Sequence, residues 1–129
     1  MKAMFVIPDP NGGVVELRDI PQPSPKDGEL LVRVRASTIN RAELARRRGT
    51  YQRPGVESFV PSVSGGEFAG DVVAVGRNVI DFEVGARVLG RAGGSHAEFV
   101  TCDARSASKF PDAMSYDEAA RIPTVFVTA

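Results

Sequence analysis

The sequence predicts a mainly β domain, and three observations carry that expectation. Short apolar runs rich in valine recur along the chain, with 13 glycines and 9 prolines falling between them. ELLVRVRAST alternates, with Leu30, Val32, Val34 and Ala36 on one face and Leu31, Arg33, Arg35 and Ser37 on the other. That is the period of a strand with one wet side. Between MFVIP and VVELRDI stands an Asn11-Gly12-Gly13 turn, the signature of a hairpin.

Taken in order, MFVIP is the first strand and VVELRDI its hairpin partner. PQPSPKDG contains three prolines, which donate no ladder hydrogen bonds, so it is a surface loop. ELLVRVRAST is the third strand. RAELARRRG then changes to a helical period and stops at Gly49, a good residue for the left-handed position after a helix. QRPGVESFVPSVSGG reads as irregular. FAGDVVAVG and ARVLG are valine-rich strands joined by the turn region RNVIDFEVG, and HAEFVTCDA is a further strand. SYDEAARIP opens with a capping box, Ser115 to Glu118, so a short helix starts there. TVFVTA carries an apolar run to the last residue, and the expectation is that a further segment follows it.

Composition narrows the function classes. The 129 residues are enough for one domain with a real core. Lysine plus arginine and aspartate plus glutamate number 16 each, giving no electrostatic case for nucleic acid or an anionic membrane. No apolar run approaches the roughly 20 residues that cross a bilayer. Cys102 is the single cysteine, so neither an internal disulfide nor a cysteine cluster for structural zinc is available. A cytoplasmic domain is the expectation. No G-x-G-x-x-G, G-x-S-x-G, P-loop or H-E-x-x-H pattern occurs. The nearest candidate, Gly65-Gly66-Glu67-Phe68-Ala69-Gly70, lacks the dinucleotide spacing and precedes a strand rather than a helix.

Asn40, between the third strand and the basic helix, admits two readings: a helix N-cap, or an amide aimed into a pocket. Glu67, entering an apolar strand, reads as a structural carboxylate satisfied by backbone or arginine. Glu43 reads as a carboxylate on the helix surface or one that supports a neighbouring site residue. Arg46, Arg47 and Arg48 fan around the helix as a solvated face, His96 is a loop residue, and Cys102 is a small strand residue.

Two stretches point to a family. GGEFAGDVVAVGRNVIDFEVGARV resembles the signature of the medium-chain dehydrogenase/reductase superfamily. TINRAELARRRGTYQRPG resembles the matching stretch of its quinone oxidoreductase, or zeta-crystallin-like, branch. The resemblance implies a GroES-like, partly open β-barrel over 1–118, with 119–129 beginning the segment toward a cofactor-binding Rossmann domain. It also implies an enzyme that passes hydride from NADPH or NADH to a quinone or enone. Zinc-dependent members carry cysteine and histidine where this chain has Asn40 and Gly66, which implies zinc-independent chemistry with no metal ligands. By the same resemblance Asn40 and Tyr51 line the reacting centre, while Asn40 and Thr128 approach the nicotinamide. The chain alone is then expected to bind no cofactor and to be inactive, with the Rossmann domain supplied in cis or in trans and a homodimer covering any orphaned apolar face. A free-standing GroES-like module that binds a ligand or protein without redox chemistry is the alternative.

Overall fold

The computed structural model describes residues 1–51 and 61–128, the side chains of Val127 and Thr128 excepted. The stretch 52–60, most of the segment read as irregular, lies outside the described residues. Eight strands are present: β1 (Lys2–Ile7), β2 (Val14–Asp19), β3 (Glu29–Ser37), β4 (Ser62–Val63), β5 (Glu67–Val75), β6 (Arg87–Arg91), β7 (Phe99–Asp103) and β8 (Ala107–Lys109). The helices are α1 (Arg41–Arg47), α2 (Tyr116–Ala120) and α3 (Ile122–Thr128).

β2-β1-β4 form one antiparallel sheet and β7-β3-β5-β6-β8 a second, which curls into a half-barrel. The hairpin forms as its turn predicts, with Lys2 opposite Asp19 and Ile7 opposite Val14. The segment after Gly94 stitches the sheets together: Ala97 bridges Ala3, and His96 N–H donates to Ser64 O while Met4 N–H donates to His96 O.

β5 is buried on both faces and divides the interior. Phe68 and Val72 join Leu30, Val32, Val88, Val100 and Cys102 in the barrel core. Ala69, on the opposite face, packs against Phe110, Ala119 and Ala120 beneath α2. Burying each large apolar side chain contributes roughly 1.5–3 kcal/mol, so this core dominates the fold's stability. Arg87 clamps α2 to the sheet: its guanidinium lies 4.4 Å from the Phe110 ring centroid and 4.5 Å from that of Tyr116, and it donates to Met114 O.

The structure corrects several boundaries. Leu31 is buried rather than on the wet side, and β3 is buried on successive residues from Leu30 to Val32. The exposed side begins at Arg33. Ser62–Val63 pairs with β1 inside the segment read as irregular, and Ala107–Lys109 adds an unanticipated edge strand after a single 3-10 turn at Ala104–Ser106. HAEFVTCDA is a regular strand only over Phe99–Asp103. The last described stretch is helical, α3 spanning Ile122–Thr128 with Pro123 in its first turn, where a missing N–H loses no bond. No helix among the described residues is long and apolar enough to cross a membrane.

Candidate functional site

β3 and β5 place the site through their register. Two shifts offset each other along the pair, one between Leu31 and Val32 and one between Val34 and Ala36. As a result Ser37 stands opposite Phe68, and Thr38, the next residue, arrives beside Glu67 at the mouth of the half-barrel. Glu67 lies on the face of β5 that it shares with Ala69, toward α2 and α3, and is 1% exposed.

Around that buried carboxylate three segments converge. The Thr38 hydroxyl donates to Glu67 Oε1. Asn40 Nδ2 donates to the same oxygen at 2.6 Å. From α3, the backbone N–H of Thr124 donates to Oε2 at 2.7 Å. Burial alone would raise the Glu67 carboxyl's pKa; the hydrogen bonds from Thr38, Asn40 and Thr124 outweigh it and hold the group below the ordinary carboxylate range. Glu67 is therefore a structural carboxylate satisfied in part by backbone, as its sequence context predicts; its other partners are the Thr38 and Thr124 side chains and the Asn40 amide, with no arginine among them.

The cap reading of Asn40 holds. It is the N-cap of α1 and forms a capping box with Glu43, whose Oε2 accepts from the Asn40 N–H. Its side-chain amide meanwhile turns onto Glu67. One N–H is committed there; the nearest further acceptor is Thr38 Oγ1 at 3.4 Å, too long for a strong bond. Glu43 is thus drawn into the cap, and its Oε1 lies close to Gly66, 3.2 Å from where a Cβ at that position would sit. Gly49 takes the left-handed conformation that ends α1, at φ +69°. Tyr51 is half-buried just beyond it. Thr128 falls in the last turn of α3, and its side chain lies outside the described residues.

A groove of about 520 Å3 opens on the other side of Thr38, between the β1–β2 hairpin, the end of β3 and α1. Met4, Val6, Val34, Ile39 and Leu44 give it apolar walls, and His96 and Ser64 a polar floor. His96 is more than a loop residue. Its Nε2 lies 2.9 Å from Thr38 O, which only a protonated nitrogen satisfies, and its Nδ1 lies 2.8 Å from Ser64 Oγ. The Thr38 carbonyl therefore faces His96 while its hydroxyl faces Glu67. Arg46 is not fully solvated either, since its Nη2 donates to Ser62 Oγ at 2.7 Å. Cys102 is a buried strand residue whose thiol is pushed up to about 12 by burial and by the neighbouring Asp103 and Glu29. Among the described residues no three of His, Cys, Asp and Glu come together as a metal-ligand cluster.

Sequence reasoning finds Asn40 and Glu67 separately but not their contact, and it misses Thr38 and Thr124. The Thr38 contact depends on strand bulges that leave no mark in the residue pattern. The Thr124 contact depends on how α3 folds back across the sheet.

A half-barrel of this topology, with helices closing one face, is a GroES-like domain. Residues 26–112 match the alcohol dehydrogenase GroES-like domain family, and the chain belongs to it. Over its full length it is 32% identical to a zinc-type alcohol dehydrogenase-like protein of Schizosaccharomyces pombe, of which it covers 40%. Among solved structures, the quinone oxidoreductase of Coxiella burnetii superposes with a TM-score of 0.86 at 27% identity, over 99% of this chain and 42% of that one. Escherichia coli quinone oxidoreductase complexed with NADPH gives 0.80 at 27% identity, over 93% and 36%. The chain thus spans two-fifths or less of the curated relatives it matches first.

Proposed function

We propose that this chain forms the substrate side of an oxidoreductase. Its cofactor, NADPH or NADH, is held by a Rossmann domain in cis or in trans, and its acceptor is a quinone or an electron-poor alkene. The observation that carries this reading is the Asn40 amide, fixed through Nδ2 on a buried carboxylate, with only a long 3.4 Å contact to Thr38 Oγ1 for a ligand oxygen to displace. The nicotinamide supplies the hydride when bound. An acceptor carbonyl gains negative charge on its oxygen as hydride arrives, and a preoriented amide N–H stabilises that charge without reorganising. Contact with Glu67 keeps the amide from rotating away. Tyr51 follows α1 by a few residues, and its phenol has the chemistry to stack on a flat acceptor and donate a hydrogen bond. Thr128, on α3, completes the cofactor side. The segment 119–129 leads toward the cofactor domain in this reading, and the enzyme works in the cytoplasm.

The donors here do not fit zinc. Glu67 has both oxygens engaged, both His96 nitrogens are bonded, Cys102 sits in the core, and Asn40 and Gly66 offer neither thiolate nor imidazole. Val125 and Phe126, 57% and 72% exposed on α3, are the surface that a cofactor domain would cover; without one, a two-fold homodimer would cover it. A second reading, a ligand-binding module without redox chemistry, is favoured by the apolar groove, which Asn40 and Tyr51 do not line.

Saturation-transfer NMR with duroquinone, whose ring positions are all methylated against addition by thiols or amines, tests the proposal. Quinone binding should weaken about tenfold in Asn40→Ala, which corresponds to one lost hydrogen bond. NADPH should show no saturable binding below about 1 mM, because the pyrophosphate site belongs to the other domain. Micromolar NADPH binding, or quinone binding indifferent to Asn40, would overturn it.

A further inference from the structure

We propose that Glu67 is the positioning residue of Asn40, and that it makes the orientation of the Asn40 amide depend on the docking of α3. The inference rests on the functional reading only in giving Asn40 a substrate to face; the coupling itself is a property of this chain.

The two oxygens of Glu67 are divided between the two ends of the connection. Oε1 takes the Thr38 hydroxyl and Asn40 Nδ2, from the end of β3 and the start of α1. Oε2 takes the Thr124 N–H, from the first turn of α3. Thr124 and Asn40 are thus joined through one carboxylate with a single set of torsions. Among the described residues no lysine, arginine or histidine pairs with Glu67, so its charge is held by neutral donors alone. A buried ion in that situation tolerates the loss of none of them easily. If the Thr124 N–H withdraws, Oε2 is left without its backbone donor, and the carboxylate must rotate toward whatever replaces it. Oε1 moves with it, and the Asn40 amide turns in response. Tyr116 and Arg87 keep α2 on the sheet independently of this link, through Tyr116 to Asp71 at 2.5 Å and the Arg87 stack. α3 can therefore shift while the barrel stays closed. Because α3 is the helix that carries Thr128, a displacement imposed at its C-terminal end would reach Asn40 by this route.

Two substitutions separate this from a merely structural role. Asn40 Nδ2 and the Thr124 N–H are both obligate donors, whereas the Thr38 hydroxyl can reverse. In Glu67→Gln one oxygen becomes an NH2 group, so at most one obligate donor keeps its acceptor. Thr124→Pro deletes the N–H on Oε2 at a helical first turn, together with the Thr124 hydroxyl that also bonds Glu67, and leaves Glu67 and Thr38, the side-chain partners of Asn40, in place. The chain carries three asparagines, so 15N-asparagine labelling resolves the Asn40 side-chain amide. In Glu67→Gln, exchange protection should fall about tenfold or more at the Asn40 NH2 or at the Thr124 N–H, with Val32 and Val88 amides unchanged. In Thr124→Pro the Asn40 NH2 should shift and lose protection although its own contacts are intact in sequence. Asn40 unchanged in Thr124→Pro would overturn the coupling, and both groups unchanged in a folded Glu67→Gln would overturn the positioning role. No ligand enters either measurement, so their failure is distinct from a failure to bind quinone.

Discussion

Replacing Gly65 with alanine should be among the most destabilising single-methyl changes in this chain. Gly65 has φ +107°, a region that residues with a Cβ rarely adopt. A Cβ built there would stand 2.5 Å from the His96 N and closer still to Ser95 Oγ. The neighbouring strands cannot give way cheaply, because His96 N–H donates to Ser64 O at 2.9 Å and Gly94 N–H to Gly65 O at 3.1 Å. The backbone conformation costs about 1–3 kcal/mol and the overpacking about another 1–3 kcal/mol. Against a total of roughly 5–15 kcal/mol this is a large share. Gly28 isolates the first contribution, since it has φ +78° with nothing within 4 Å of its absent Cβ. Urea unfolding should therefore show Gly65→Ala less stable than Gly28→Ala by about 1–3 kcal/mol at unchanged m-value. Adding Ser95→Ala should recover only part of that difference, because the His96 backbone contact remains. Equal losses for the two glycines would refute the close approach on which the placing of His96 depends.

The same geometry sets three further outcomes. Ser95 Oγ is fully buried without a hydrogen-bond partner among the described residues, so Ser95→Ala alone should be neutral or stabilising by up to about 1–2 kcal/mol in urea unfolding, and a loss would reveal a partner for that hydroxyl. Glu67 titrates below its ordinary value of 4.5, so its contribution to stability is fully present above that pH and is lost as pH falls through the lower folded value. Thr124 N–H protection should accordingly decline below pH 4.5 in the native chain before the barrel amides do, and should be indifferent to pH there in Glu67→Gln. Cys102, with its thiol pushed up to about 12 and its side chain in the core, should resist an aromatic disulfide reagent at about pH 8 and react at once in denaturant; rapid labelling of folded protein would contradict its burial.

Most of the strand framework is legible in the residues, because strands with one covered face write period-two patterns and turns need glycine or proline. β3 shows where this stops. Arg33 and Arg35 mark its wet side correctly, yet Leu31, on the same alternation, is buried by tertiary packing that a single sequence does not display. β8 escapes notice because its ASK carries no apolar alternation; it is held by pairing with β6, and of its side chains only Ala107 packs on the core. The candidate site is legible residue by residue and not as a constellation. Asn40 stands out as a cap, and Glu67 as a charge in an apolar strand. Their meeting requires the register shift between Val34 and Ala36, since moving one strand by a single residue would turn these side chains to opposite faces. The share of α3 in the site arises from tertiary packing alone, and no local signal connects Thr124 to Glu67.

The central claim is that the Asn40 amide, seated on Glu67, is the group that meets the acceptor. Titrating uniformly 15N-labelled chain with duroquinone, its asparagine signals assigned from a 15N-asparagine-labelled sample, tests this most directly. The account predicts that the Asn40 side-chain amide shifts in a saturable way, with its Nδ2 protons most affected, while the side-chain amides of Asn11 and Asn78 stay in place. Saturable quinone binding that leaves Asn40 unmoved and instead perturbs His96 and Ile39 in the apolar groove would contradict it.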